Sequence, residues 1–191
     1  MDDIKVISDI KIYTDLQHFP LTLDRIQATA YHCITIEDRC FNGKLQEAKW
    51  HLRSALSEFG SMFDALNKDA KKNNFPGLSE KISSINSPLI KILKQARNLA
   101  VHTSTIKCNQ YPFYYWDCHR AEVKSFDIIF IDPVRKEDFK DPRKKSKEKD
   151  NITAEEIDWF NRQTDHWPSH FIINEALSSM YYALKTLRPN R

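Results

Sequence analysis

The sequence predicts a mainly α protein, an up-down bundle of four to five helices carrying one small inserted β-hairpin. Three observations lead there. Only 3 of 191 residues are glycine, against a usual share of roughly 7%, and so few residues with free access to φ > 0 do not suit a turn-rich β fold. Residues 45–66 repeat apolar side chains at three- and four-residue spacing for about six turns. Ser87-Pro88 then opens a third helical run with serine as N-cap and proline in the first turn.

The elements follow in order. Residues 4–13 alternate in pieces (Ile4 and Val6, then Ile10 and Ile12) and suggest one or two short strands. From Thr22, read as an N-cap, Leu23, Ile26, Ala30, Cys33 and Ile34 take up helical spacing. This helix should stop near Phe41, where Asn42-Gly43 supplies a C-terminal signal. The stripe Leu45, Ala48, Leu52, Ala55, Phe59, Met62, Phe63 and Leu66 makes the second helix. Lys68, Lys71 and Lys72 lie in its last turns, where cations suit the helix dipole. A short Asn-Gly link between two long helices predicts an antiparallel αα-hairpin. Gly60 sits inside the second helix, and close approach of another helix is the simplest reason for it.

The third helix runs from Ser87-Pro88 through Leu89, Ile90, Leu93, Ala96 and Ala100 to about His102, before Thr103-Ser104-Thr105. Residues 110–116 (QYPFYYW) and 122–131 (EVKSFDIIFI) are aromatic and β-branched and predict a β-hairpin, to which the N-terminal strand could add. Residues 135–150 hold eight Lys/Arg and five Asp/Glu with almost no apolar side chains, the composition of a mobile loop. Thr153-Ala-Glu-Glu has the form of a capping box and starts a last helical stretch to about Leu187, which Pro168 should kink or divide. Ile173, Ala176, Leu177, Met180, Leu184 and Leu187 are its apolar positions. The whole chain, 1–191, reads as one domain with a helical core at about 20–104 and 152–188 and an insertion at about 105–151.

Several functions are disfavoured. The isolated glycines leave no G-x-G-x-x-G and no G-x-x-x-x-G-K-[ST], so a backbone cradle for nucleotide phosphates is not expected. H-E-x-x-H, paired Glu-x-x-His and G-x-S-x-G are absent as well. Net charge of +3 permits an anionic partner without demanding one. No apolar run reaches transmembrane length, the start MDDIKVISDIKIY has no export-signal character, and the four cysteines show no C-x-x-C pair. These features predict a cytoplasmic protein with reduced thiols and no membrane contact.

One constellation carries chemistry. The third helix ends in Arg97-Asn98-Leu99-Ala100-Val101-His102. Histidine moves protons near neutral pH, and arginine offers a planar fork of donors to phosphate. Asn98 and His102 are i and i+4, so the amide can orient the imidazole. On an ideal helix Arg97 and His102 stand about 140° apart. Fraying after Ala100, or a two-fold pairing of motifs, is what would let them converge. The plain alternative is a pair of cations satisfying the dipole at a helix C-terminus.

Arg97-Asn98-x-x-x-His102 resembles the R-x4-6-H signature of the HEPN superfamily, in which a polar residue commonly follows the arginine. The resemblance implies a four- or five-helix bundle that forms a homodimer, with two motifs meeting in a cleft. It further implies metal- and cofactor-independent cleavage of RNA, in settings such as toxin–antitoxin pairs or antiphage defence. His102 would help activate a ribose 2′-OH, and Arg97 would stabilise charge on the phosphoryl oxygens. Some members carry a modified tyrosine two residues after the histidine. That position is Ser104 here, so this regulation does not transfer.

Other residues offer weaker signals. Arg143, Lys144, Lys145 and Lys147 could contact RNA phosphates, although a solvated loop is the plainer reading. Tyr111, Phe113, Tyr114, Tyr115 and Trp116 could stack bases, but core or dimer packing is favoured. Cys108, Cys118, His119, His166 and His170 are metal-ligand types at spacings unlike zinc patterns, so no metal is expected. Cys33 and Cys40 read as core, and Glu37-Asp38-Arg39 as helix surface. The rival to a ribonuclease is a non-catalytic dimeric module that binds RNA or a regulatory protein such as an antitoxin.

Overall fold

The structure is a computed structural model, which describes residues 16–73, 75, 87–102, 107–139 and 152–185, with backbone only at 98–102. The strand predicted over 4–13 and the basic run 143–149 lie outside these residues. Five α-helices are described: α1 (Pro20–Phe41), α2 (Leu45–Lys72), α3 (Pro88–His102), α4 (Ala154–Thr164) and α5 (Ser169–Lys185). Two strands, β1 (Cys108–Asp117) and β2 (Glu122–Ile131), pair antiparallel between α3 and α4.

The αα-hairpin forms as its turn residues dictate. Gly43 adopts φ +71°. Its N–H donates to Cys40 O, and that of Lys44 reaches back to Arg39 O, the paired bonds that satisfy a helix's last carbonyls. At the other end the expected cap is corrected. Thr22 lies inside α1, which starts at Pro20 without any side-chain cap of its own. The cap comes from α2. Asp69, wholly buried, accepts from Thr22 N–H and Thr22 Oγ1 at 2.8 Å each and from Leu21 N–H at 3.4 Å. A carboxylate among orphan N–H groups at a helix N-terminus is favoured by both hydrogen bonding and the dipole.

α3 begins where Ser87-Pro88 predicted, with Ser87 O accepting from Lys91 N–H. Thr153 and Glu156 form the expected capping box at α4. Pro168 divides the last stretch rather than kinking it, and its carbonyl accepts the first bonds of α5 from Phe171 and Ile172. One apolar cluster joins these elements. Ile26, Cys33, Ile36 and Cys40 from α1, Leu52, Phe59 and Met62 from α2, and Leu93 from α3 meet Ile173, Leu177 and Met180 from α5.

The hairpin forms where it is predicted, and its two strands are unequally buried. β2 takes the inner place, with Ile128, Ile129 and Ile131 buried and Ile129 O accepting from Ser169 Oγ at 2.9 Å. β1 is the outer strand. Tyr111, Phe113, Tyr114 and Trp116 stay 46–66% exposed, so these aromatics pair across the hairpin but are not packed into the bundle core, which corrects the core half of the core-or-dimer reading. At the tip both strands are exposed, Trp116 by 61% and Val123 by 64%. Asp117 Oδ1 accepts from His119 and Arg120 N–H in the turn, and Ala121 takes the left-handed φ of +51° that closes it.

Candidate functional site

The centre of the candidate site is Arg97, and Gly60 is the reason it sits where it does. A Cβ on Gly60 would stand 2.6 Å from Arg97 Cβ and 2.8 Å from Arg97 Cγ, and closer still to Arg97 Cδ. Glycine therefore lets α3 press the aliphatic stem of Arg97 against the α2 backbone, and close helix approach does explain this glycine. One turn further along α2, Asp64 Oδ2 receives Arg97 Nη1 at 3.1 Å. The guanidinium is held by its stem and by one carboxylate, with the arginine side chain 36% and the aspartate side chain 65% exposed. An ion pair this wet is weak and exchangeable.

Arg97 ends a row of cations along α3. Lys91 Nζ contacts both oxygens of Glu156 at 3.0 Å. Burial alone would raise the Glu156 carboxyl, but the Thr153 N–H and Lys91 together hold it below the usual range. Lys94 Nζ stands 5.2 Å above the Phe63 ring, a cation–π contact. Lys91, Lys94 and Arg97 thus follow one helical row, each on a different partner.

α3 stays α-helical through His102. Fraying after Ala100 is therefore absent, and positions 97 and 102 stand about 140° apart around one helical backbone. Asn98 and His102 keep their i, i+4 relation on the backbone. Their side chains lie outside the described atoms, as do Arg143, Lys144, Lys145 and Lys147 entirely.

The metal-ligand types are scattered. Cys118, His119 and His166 are exposed, whereas His170 is buried. Among the described residues no group of three or more His, Cys, Asp or Glu side chains is arranged to hold a metal ion. Burial raises the Cys108 thiol to about 11. Cys33 and Cys40 are core residues, as expected, and burial raises both thiols, Cys40 to about 11. His170 has no hydrogen-bond partner at either ring nitrogen among the described residues, and burial pushes it down to about 4.

Two features escaped the sequence reading. His32 on α1 and His51 on α2 meet with Nδ1 atoms 3.0 Å apart, so one ring must donate to a neutral partner. Burial, then the charge of His51, lowers His32. The second is a groove of about 450 Å³ between the outer face of α1 and the hairpin, lined by Glu37, Asp38, Phe41, Phe113, Tyr115 and Phe126. Ile34, counted in the apolar stripe of α1, in fact faces outward at this groove and is 46% exposed. The signal was available, since Ile34, Asp38 and Phe41 follow i, i+4, i+7 beside the core row.

Comparison with protein-family models, with curated proteins and with solved structures returns no match. Fold and side-chain chemistry are what speak to function. They define a helical bundle with an antiparallel hairpin, and no helix among the described residues is long and apolar enough to cross a membrane.

Proposed function

We propose that the protein is a metal-independent endoribonuclease of the HEPN type that works as a homodimer. One observation carries the reading. Arg97 lies near the end of a core helix with its stem fixed against Gly60, while its guanidinium is solvent-accessible and tied to the single exposed carboxylate of Asp64. A phosphate can displace that carboxylate and gain two parallel hydrogen bonds from the fork. With α3 helical through His102, this reading has Arg97 and His102 from two copies of α3 converge on one substrate.

In this reaction His102 removes the proton of a ribose 2′-OH, oriented for it by Asn98. The 2′-oxygen attacks the adjacent phosphorus, the bond to the 5′-oxygen breaks, and that oxygen takes up a proton. Arg97 stabilises the charge that builds on the non-bridging oxygens. The products are a 2′,3′-cyclic phosphate and a 5′-OH. Arg143, Lys144, Lys145 and Lys147 supply counter-charge for the rest of the RNA, and an antitoxin or other regulatory protein is the matching partner class.

The test is incubation of labelled RNA with the purified protein, followed by identification of the ends. His102→Ala and Arg97→Ala are each expected to abolish cleavage with the fold retained, and EDTA to leave cleavage unchanged. Full cleavage by His102→Ala protein freed of host nucleases would refute the reading. The exposed aromatic hairpin favours one rival, a helical module that binds without catalysis. RNA or protein binding that persists unchanged in both variants, with no cleavage by the unmodified chain, selects that rival.

A further inference from the structure

The groove between α1 and the hairpin has the composition of a receptor for cations. Phe126 is its hub. Its ring centroid lies 5.4 Å from Phe41, 5.5 Å from Phe113 and 5.9 Å from Tyr115. Phe41 and Phe113 are 57% and 46% exposed, so aromatic surface that the core could have covered stands open. Contiguous apolar patches on a folded chain mark interaction sites.

Among the described residues, the charged side chains that line the groove are both acidic. Glu37 and Asp38 line the groove, and Glu37 makes no ion pair among the described residues. The cations nearby are already committed. Lys124, which faces Tyr115 across the ladder, has its Nζ 2.6 Å from Asp117 and 3.5 Å from Glu122. Arg39 has Nε 3.1 Å from Glu47, at ion-pair distance though without hydrogen-bond geometry, and Nη1 3.5 Å from Asp38. Beneath the groove the Cys40 thiol is raised chiefly by burial, and the charges of Asp127 and Glu37 push it the same way. Open ring faces beside an unneutralised carboxylate attract an organic cation through both its charge and its polarisable surface.

The shape selects a chain rather than an enclosed molecule. The exposed row continues up α1 through Ile34 to Tyr31, 62% exposed. On the other side β1 pairs with β2 alone among the described residues. We propose that this groove binds a basic peptide segment of a partner protein, with an arginine or lysine side chain over the Phe41–Phe113–Phe126 cluster and against Glu37. RNA is disfavoured here because the carboxylates repel phosphate. This surface is separate from Arg97, and binding is read without reference to cleavage.

The experiment uses the full chain and two pooled, fluorescein-labelled hexapeptide libraries. One has arginine fixed at the third position, the other its neutral isostere citrulline at the same place. Fluorescence polarisation should show binding of the arginine pool and about tenfold weaker binding of the citrulline pool. Glu37→Lys and Phe113→Ser alter exposed positions and should each weaken the arginine pool about tenfold with unchanged thermal melting. Equal binding of the two pools, retained binding by Glu37→Lys, or no binding of the arginine pool at millimolar peptide would each overturn the proposal. So would a drop in oligomeric mass on Phe113→Ser, measured by light scattering, because a second copy would then be the occupant.

Discussion

Asp64 and Asp69 sit five residues apart on α2 and serve opposite ends. Asp69 is wholly buried, and the donors around it belong to the start of α1. Asp64 is 65% exposed at its side chain and meets one guanidinium that is itself partly in water. The first carboxylate cannot leave without stranding buried N–H groups, whereas the second can be exchanged for another anion. One helix therefore carries a structural clamp and a replaceable counter-ion. Burial, and not residue type, decides which is which.

The comparison breaks first at Asp69. Asp69→Ala leaves the Thr22 N–H and hydroxyl without an acceptor, and a loss of about 3 kcal/mol or more is expected in urea unfolding. A loss below 1 kcal/mol would mean that water or a shifted residue takes over the cap.

The next largest effect concerns His170, a buried polar group without a hydrogen-bond partner among the described residues, where Asp69 has several. Its folded pKa of about 4 lies below the unfolded value. The unfolded chain therefore binds more protons between pH 6.5 and 4, and stability falls as pH drops through that window. Between pH 7 and pH 5 the expected loss is about 2 kcal/mol. His170→Leu should remove this slope and raise stability at pH 7 by about 1 kcal/mol; thermal melts at both pH values check it.

Gly60→Ala addresses the geometry of the open pair. The added Cβ meets the fixed root of Arg97 as well as its flexible part, so α3 must shift. A net loss of about 1–2 kcal/mol is expected, because overpacking outweighs the better helix propensity of alanine. RNA cleavage should fall with it under the proposed function. The smallest effect sharpens the contrast: Asp64→Asn should change stability by about 0.5 kcal/mol or less. A loss near that of Asp69→Ala would show that Asp64 is a clamp as well.

What the sequence disclosed depended on range. Gly43, Ser87-Pro88 and the Thr153–Glu156 box act on backbone groups within a few residues, and each marked its boundary correctly. Thr22 was misread because the rule for caps is local, while the acceptor that closes this helix stands 47 residues away on α2. Gly60 was recognisable as a close approach, but only packing reveals that the approaching group is Arg97. The hairpin was legible as two strands; which strand faced the bundle was not. β-branched and aromatic runs have equal claim to a pleated surface, and the docking of Ile129 against Ser169 settles it through α5. The pairing Arg97–Asp64 and the closure of the α1 groove by the hairpin likewise join residues far apart in sequence, and only the α1 side of the groove, Ile34, Asp38 and Phe41, had a periodicity to announce it.

The clamp at Asp69 has a consequence for motion. The α1–α2 hairpin is closed covalently at Asn42-Gly43-Lys44. At its other end Asp69 binds Thr22, Asn73 Nδ2 donates to His18 O at 2.6 Å, and Phe19 stacks on Phe75 with centroids 5.0 Å apart. A helix N-terminus ordinarily frays, and its amides exchange with solvent almost freely. Here both helices must come apart before the Thr22 N–H is released, so its exchange rate reports opening of the whole two-helix unit rather than loosening of its tip.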